Sequence, residues 1–114
     1  AEFNTLPSAK ERLLAVVQHA TDGVGEIIKF GNPFGTMCQE LGKKGGDLAK
    51  AAAEIMEDLL SWCEEQFKLL GGEQDPRKRA INLVSCLQGS KLLTLTLKKD
   101  SVLTDAKEYI FETL

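Results

Sequence analysis

Histidine occurs once in this chain of 114 residues, aromatic residues make up 6% of it, and basic residues are outnumbered by acidic ones, 14 to 17. Each shortage excludes something. With His19 as the sole imidazole, a His–Cys or Ser–His–Asp arrangement has one possible base, and nothing in local spacing brings a nucleophile to it. No Cys-x-x-Cys or His-x-x-x-His pair offers a metal its usual ligand spacing, so neither a metal nor a cofactor is expected. The net charge of −3 leaves no electrostatic footprint for nucleic acid. No apolar run approaches the ~20 residues that cross a bilayer, and no cleavable signal pattern opens the chain. Gly42-Lys43-Lys44-Gly45-Gly46 lacks the preceding strand and the lysine–hydroxyl ending of a phosphate-binding loop, and reads as a solvated turn. Cys38, Cys63 and Cys86 are odd in number and far apart. They fit unpaired, buried thiols of a cytosolic protein better than a disulfide frame. The chain is therefore not expected to be an enzyme.

What is present is an ordinary globular composition, 43% apolar and 27% charged, in one domain able to bury roughly two thirds of its unfolded surface. Residues 1–7, AEFNTLP, carry no periodicity and read as a linker remnant or cloning scar ahead of a domain spanning 8–114. Ser8 and Glu11 form a capping box. From there Leu13, Leu14, Val17, Ala20, Val24, Ile27 and Ile28 line one helical stripe as far as Phe30. Gly23 and Gly25 fall inside that stretch, each at a cost of about 1 kcal/mol against alanine, which predicts a bend or a close backbone approach there. Gly31 and Pro33 end the helix. A short helical piece covers Thr36 to Gly42, Asp47 caps the next helix, and Leu48 to Leu70 carries the clearest apolar stripe in the sequence, stopped by Gly71-Gly72.

Asp75-Pro76 is a strong helix opening, a capping carboxylate followed by a residue whose missing N–H would have been unpaired anyway. The helix it starts has no clean polar side, because Ile81, Leu83, Val84, Leu87, Leu92, Leu93, Leu95 and Leu97 spread around most of its circumference. One side can pack on the domain's own core, and the other predicts a partner subunit. Gln88-Gly89 inside it suits a helix crossing at a symmetric dimer interface, the alternative being a contact within the subunit. Asp100 or Ser101 then caps a last helix carrying Val102, Leu103, Ala106, Tyr109, Ile110 and Leu114. The expected fold is all-α, an antiparallel bundle of four long helices and one short one, and Leu92 to Lys98 is kept helical despite its local strand propensity because no second strand exists to pair with it.

Few side chains are candidates for a site. His19 reads as an edge or surface residue, a polar group in a pocket, or, least, a base. Trp62, at the border of its helix stripe, either covers the core edge or lines a cavity. Met37 and Met56 are core filler or the flexible lining of an apolar pocket.

The order of these features resembles the C-terminal ligand-binding and dimerisation domain of TetR-family transcriptional regulators. The similarity runs over about residues 8–114 and rests on RLLAVV at 12–17, Gly31-Asn32-Pro33-Phe34-Gly35, TMCQEL at 36–41, AAAEIMEDLLSWCEEQF at 51–67 and DPRKRAINLVSCLQGSKLLTLTLKKDSVL at 75–103. The family's frequent loop cysteine is Asn32 here, so no role of that thiol carries over. A small residue usual after the glutamine–glycine pair is replaced by Ser90-Lys91, which would put Lys91 at an interface rim or beside an acid. The resemblance implies a repressor's regulatory domain in the bacterial cytoplasm, with its helix-turn-helix domain absent from this chain and DNA contacted only through that missing part. It implies a homodimer joined by the last two long helices, with Val84, Gln88, Gly89, Leu92, Leu95, Tyr109 and Ile110 at the interface. It also implies a small-molecule effector, lipophilic or aromatic, in a pocket lined by Phe30, Phe34, Met37, Met56 and Leu59, with His19 and Trp62 as polar handles. The rival is a dimeric helical interaction module with a filled core and no small-molecule site.

Overall fold

The computed structural model describes residues 6–114, and every regular element among them is a helix. In order these are α1 (Ala9–Thr21), α2 (Val24–Phe30), α3 (Pro33–Lys44), α4 (Gly46–Leu70), α5 (Pro76–Leu97) and α6 (Asp100–Thr113). None is long and apolar enough to cross a membrane. The fold is thus all-helical, with six helices where five were expected.

The first expected helix is two. Asp22 leaves the helical region, and Gly23 adopts φ 72°, ψ 37°, a left-handed conformation that costs glycine little and other residues more. Nothing lies within 4 Å of the position a Cβ would take at Gly23 or Gly25. Of the two expectations for these glycines, the bend is the one realised. The short piece is also longer than expected, running from Pro33 to Lys44, and the turn to α4 shrinks to Gly45 at φ 73°. Asp47 lies inside the first turn of α4 and does not cap it, and α6 starts at Asp100 with Lys99 in the cap position.

Other ends follow the sequence closely. The Ser8 hydroxyl accepts from the Glu11 N–H at 3.1 Å. The Asp75 carboxylate accepts from the Arg77 N–H at 2.8 Å, with Pro76 first in the helix. Gly71, at φ 82°, closes α4 and donates its N–H to the Phe67 carbonyl at 3.1 Å. Residues 92–97 are helical. Of the proposed linker, residues 1–5 lie outside the described part, whereas the Leu6 carbonyl accepts from Arg12 Nε at 3.0 Å.

The core gathers Leu13 and Val17 of α1, Cys63 and Phe67 of α4, Ala80, Leu83, Val84 and Leu87 of α5, and Ile110 of α6. α5 is central, meeting α4 along one side and α6 and α2 along others. Burial of each large aliphatic side chain contributes about 1.5–3 kcal/mol, which explains why the stripes of α1 and of the C-terminal half of α4 face this cluster. The N-terminal half of α4 is different: Leu48 and Ile55 remain exposed, and its main neighbour is α3. Gln66 sits among the apolar residues of α4 at 5% exposure, its carbonyl oxygen accepting from Arg12 Nη1 at 3.2 Å. This pair satisfies a buried amide that periodicity alone would have placed on the solvent side.

Candidate functional sites

The residues expected to enclose an effector are spread over α1, α2, α3 and α4. His19 is exposed on α1, Phe30 is 75% exposed at the end of α2, and Met37 is exposed on α3. Phe34 is half-buried at the start of α3. Met56, Leu59 and Trp62 are half-buried on α4 and pack against the core cluster. Their arrangement is that of a core edge.

The loop carrying Gly31 to Gly35 does have a defined partner, which is α5 of the same subunit. The Asn32 amide donates to the Gln88 side-chain carbonyl. A Cβ on Gly35 would lie 2.5 Å from both Asn32 Nδ2 and Gln88 Oε1, and one on Gly31 would lie 2.7 Å from Leu95 Cδ2. The Lys98 ammonium donates to the Ile28 carbonyl at 2.6 Å. Glycine at 31 is favoured by φ 76°, and a side chain at 35 would push the Asn32 and Gln88 amides aside. Gln88, half-buried, makes its hydrogen bond within the subunit, the alternative that its sequence position also offered. Of the other interface candidates, Val84 is 8% exposed and Ile110 4%, both packed in the subunit's own core. Leu95 is half-buried against Gly31.

The remaining interface candidates do share the surface. Leu92 is 59% exposed and Tyr109 63%, and the position of a Gly89 Cβ meets open space. At 100° per residue Ile81, Ser85, Gly89, Leu92, Leu93 and Thr96 fall on one side of α5, all of them exposed. Two small residues, Ser85 and Gly89, run between the bulkier apolar ones. Lys91 is half-buried, and burial lowers its pKa from the ordinary lysine value. Among the described residues it has no acidic partner within 4.0 Å, so of the two expectations for it the ion pair is not formed.

A cleft with a volume of about 460 Å³ lies between the end of α4, α5 and α6. Phe67 and Gln74 border it from the end of α4 and the turn that follows. Arg79, Asn82, Leu83 and Cys86 line it from α5, and Tyr109, Ile110, Thr113 and Leu114 from α6. The Arg79 guanidinium lies 4.4 Å above the Phe67 ring and donates to the Gly71 carbonyl at 2.9 Å. None of the seven expected effector residues borders this cleft or the two smaller hollows, one beside it and one between α1 and α6. Arg79 was missed because the basic run Arg77-Lys78-Arg79 at the start of a helix reads as solvated charge. Its position one and two turns before Leu83 and Cys86, on a helix with no clean polar face, was the available signal.

The three cysteines are free thiols, Cys63 buried and the other two half-buried. Burial pushes the Cys63 thiol up to about 11. No group of three or more His, Cys, Asp or Glu side chains is arranged to hold a metal among the described residues. Arg77 bridges α5 to α4 through Glu57 at 2.6 Å and Glu64 at 3.5 Å, an exposed network with a modest contribution to stability. Comparison with protein-family models, with curated proteins and with solved structures found no match to this chain.

Proposed function

We propose that this chain is the effector-binding and dimerisation domain of a TetR-type transcriptional repressor, acting as a homodimer on DNA through a helix-turn-helix domain outside the sequence. The observation that carries the reading is the second apolar side of α5. A 22-residue helix already buried through Ala80, Leu83, Val84 and Leu87 also presents Ile81, Gly89, Leu92 and Leu93 to solvent, and Tyr109 of α6 is exposed as well. Contiguous apolar surface of this kind marks an interaction face, and the gap at Gly89 lets a second helix approach closely. A stable dimer needs about 800 Å² from each partner.

In such a dimer an effector acts only by its difference in affinity for two arrangements of the subunits, with a coupling of about 1–3 kcal/mol. A small rotation at α5 and α6 is amplified, because both recognition helices must enter successive major grooves. A dimeric interaction module without a small-molecule site is the competing reading, and the scatter of the seven expected effector residues favours it.

Two measurements test these readings. Gly89→Glu places a charge at the crossing and is expected to convert the dimer into monomer or aggregate in sedimentation, whereas an unchanged dimer places the interface elsewhere. Thermal melts against a panel of lipophilic compounds separate the effector domain from the filled module. A compound at 100 times its Kd adds about 2.7 kcal/mol, and a filled core responds to none.

A further inference from the structure

The geometry points to the cleft between the end of α4, α5 and α6 as a binding site for an amphipathic monocarboxylate, one carboxylate carried on a short alkyl chain or an aromatic ring. This inference rests on the reading of the chain as an effector domain, and gives the effector a place and a charge that the sequence did not supply.

Among the described residues that border the cleft, Arg79 carries the only charged side chain. It is held in place before any ligand arrives, with its face on the Phe67 ring and Nη1 committed to the Gly71 carbonyl. Among the described residues no carboxylate lies within 4.0 Å of it. The guanidinium therefore has a fixed orientation, spare N–H donors and no counter-ion. A planar fork of this kind matches the two oxygens of a carboxylate. One cation balances one negative charge, which disfavours a phosphate dianion. The adjoining hollow adds Asp75 and Lys78, whose charges cancel.

The rest of the wall suits the other end of such a molecule. Half-buried Leu114 and the exposed edges of Leu83 and Ile110 supply the apolar part, and Asn82 and Gln74 border the adjoining hollow together with Arg79. A volume of about 460 Å³ is within the usual range for a small-molecule site, an apolar wall with a few placed polar groups. Tyr109 borders the cleft and also stands on the exposed side of α6, so a ligand seated here touches the surface through which subunits are proposed to meet.

Octanoate and octanol are suitable probes, with binding read by calorimetry and assembly by sedimentation on the same samples. Octanoate should bind once per chain, and octanol about tenfold more weakly, the factor expected for one charge-assisted interaction. Arg79→Gln should bring octanoate down to the level of octanol. Thr113→Trp, at an exposed position in the last turn of α6, should fill the cleft and abolish binding of both with the melting temperature unchanged. It decides the matter if Arg79→Gln fails to fold. The site is refuted if the parent chain does not bind octanoate, if octanol binds as tightly, or if Thr113→Trp retains octanoate affinity within about twofold. A dimer that fails these tests leaves the subunit reading standing, and a monomer that passes them keeps the site and removes the dimer.

Discussion

Thr94 is the one buried side chain whose polar atom has no hydrogen-bond partner among the described residues, and its exposure is 0%. Removing a hydroxyl from water without a compensating bond costs about 1–3 kcal/mol. Valine has nearly the same shape, with a methyl in place of the hydroxyl, and both residues are β-branched, so the helical backbone of α5 senses little change. Thr94→Val should therefore stabilise the domain by about 1 kcal/mol or more, a rise in melting temperature of about 4 °C for a domain near this size. Thr21 provides the matched control. It too is buried, at 9% exposure, but its hydroxyl donates to the Val17 carbonyl at 2.9 Å. Thr21→Val removes a formed bond with a net contribution of about 1 kcal/mol, so the two identical substitutions should differ in sign. Urea denaturation at one fixed protein concentration, with unchanged slope, measures both. Equal effects at the two positions, or a less stable Thr94→Val, would show that the Thr94 hydroxyl has a partner and that the reasoning fails.

Gly35→Ala should separate Asn32 from Gln88, since its Cβ would fall 2.5 Å from each amide. The expected loss is about 1–3 kcal/mol, seen in denaturation, and a neutral result would mean the corner re-seats freely. Cys63 should stay unmodified by a maleimide at pH 8 while Cys38 or Cys86 reacts, because burial raises its thiol to about 11 from 9.0. The same shift has a consequence for stability. The raised folded value favours the neutral thiol, so the Cys63 contribution is intact below about pH 9 and is lost as pH rises towards 11. Cys63→Ala should flatten that alkaline decline in a pH series of melts, and an identical slope would contradict it.

Much of the fold is written locally. Ser8, Asp75-Pro76 and Gly71 mark helix ends through side-chain caps and backbone freedom that need no tertiary context. The stripes of α1 and α4 name Leu13, Val17, Cys63 and Phe67 as core in the same way. Gly23 was legible as a disturbance but not as a helix end, because a glycine inside an apolar stripe fits a bend or a crossing equally well. The reach of α3 to Lys44 was hidden by the two glycines after it, and a single left-handed residue sufficed for the turn.

The site was harder, because periodicity says that α5 has two apolar sides without saying which belongs to the subunit. Val84 and Ile110 joined the interface candidates through the family resemblance, and in the structure both pack in the core cluster. The pairing of Asn32 with Gln88, 56 residues apart, and the meeting of Phe67 with Arg79 depend on how helices are laid together. Spacing along one helix carries no trace of either.

α3 holds no fully buried residue, and its main support is α4. Detaching it would expose little apolar surface and leave Leu13, Leu87 and Ile110 untouched in their cluster. The twelve residues from Pro33 to Lys44 are thus a flap on a sturdier frame, fastened by two amides at one end and by a single glycine pivot at the other. Its backbone amides should trade their protons with solvent long before those of α5, whose release requires the whole domain to come apart.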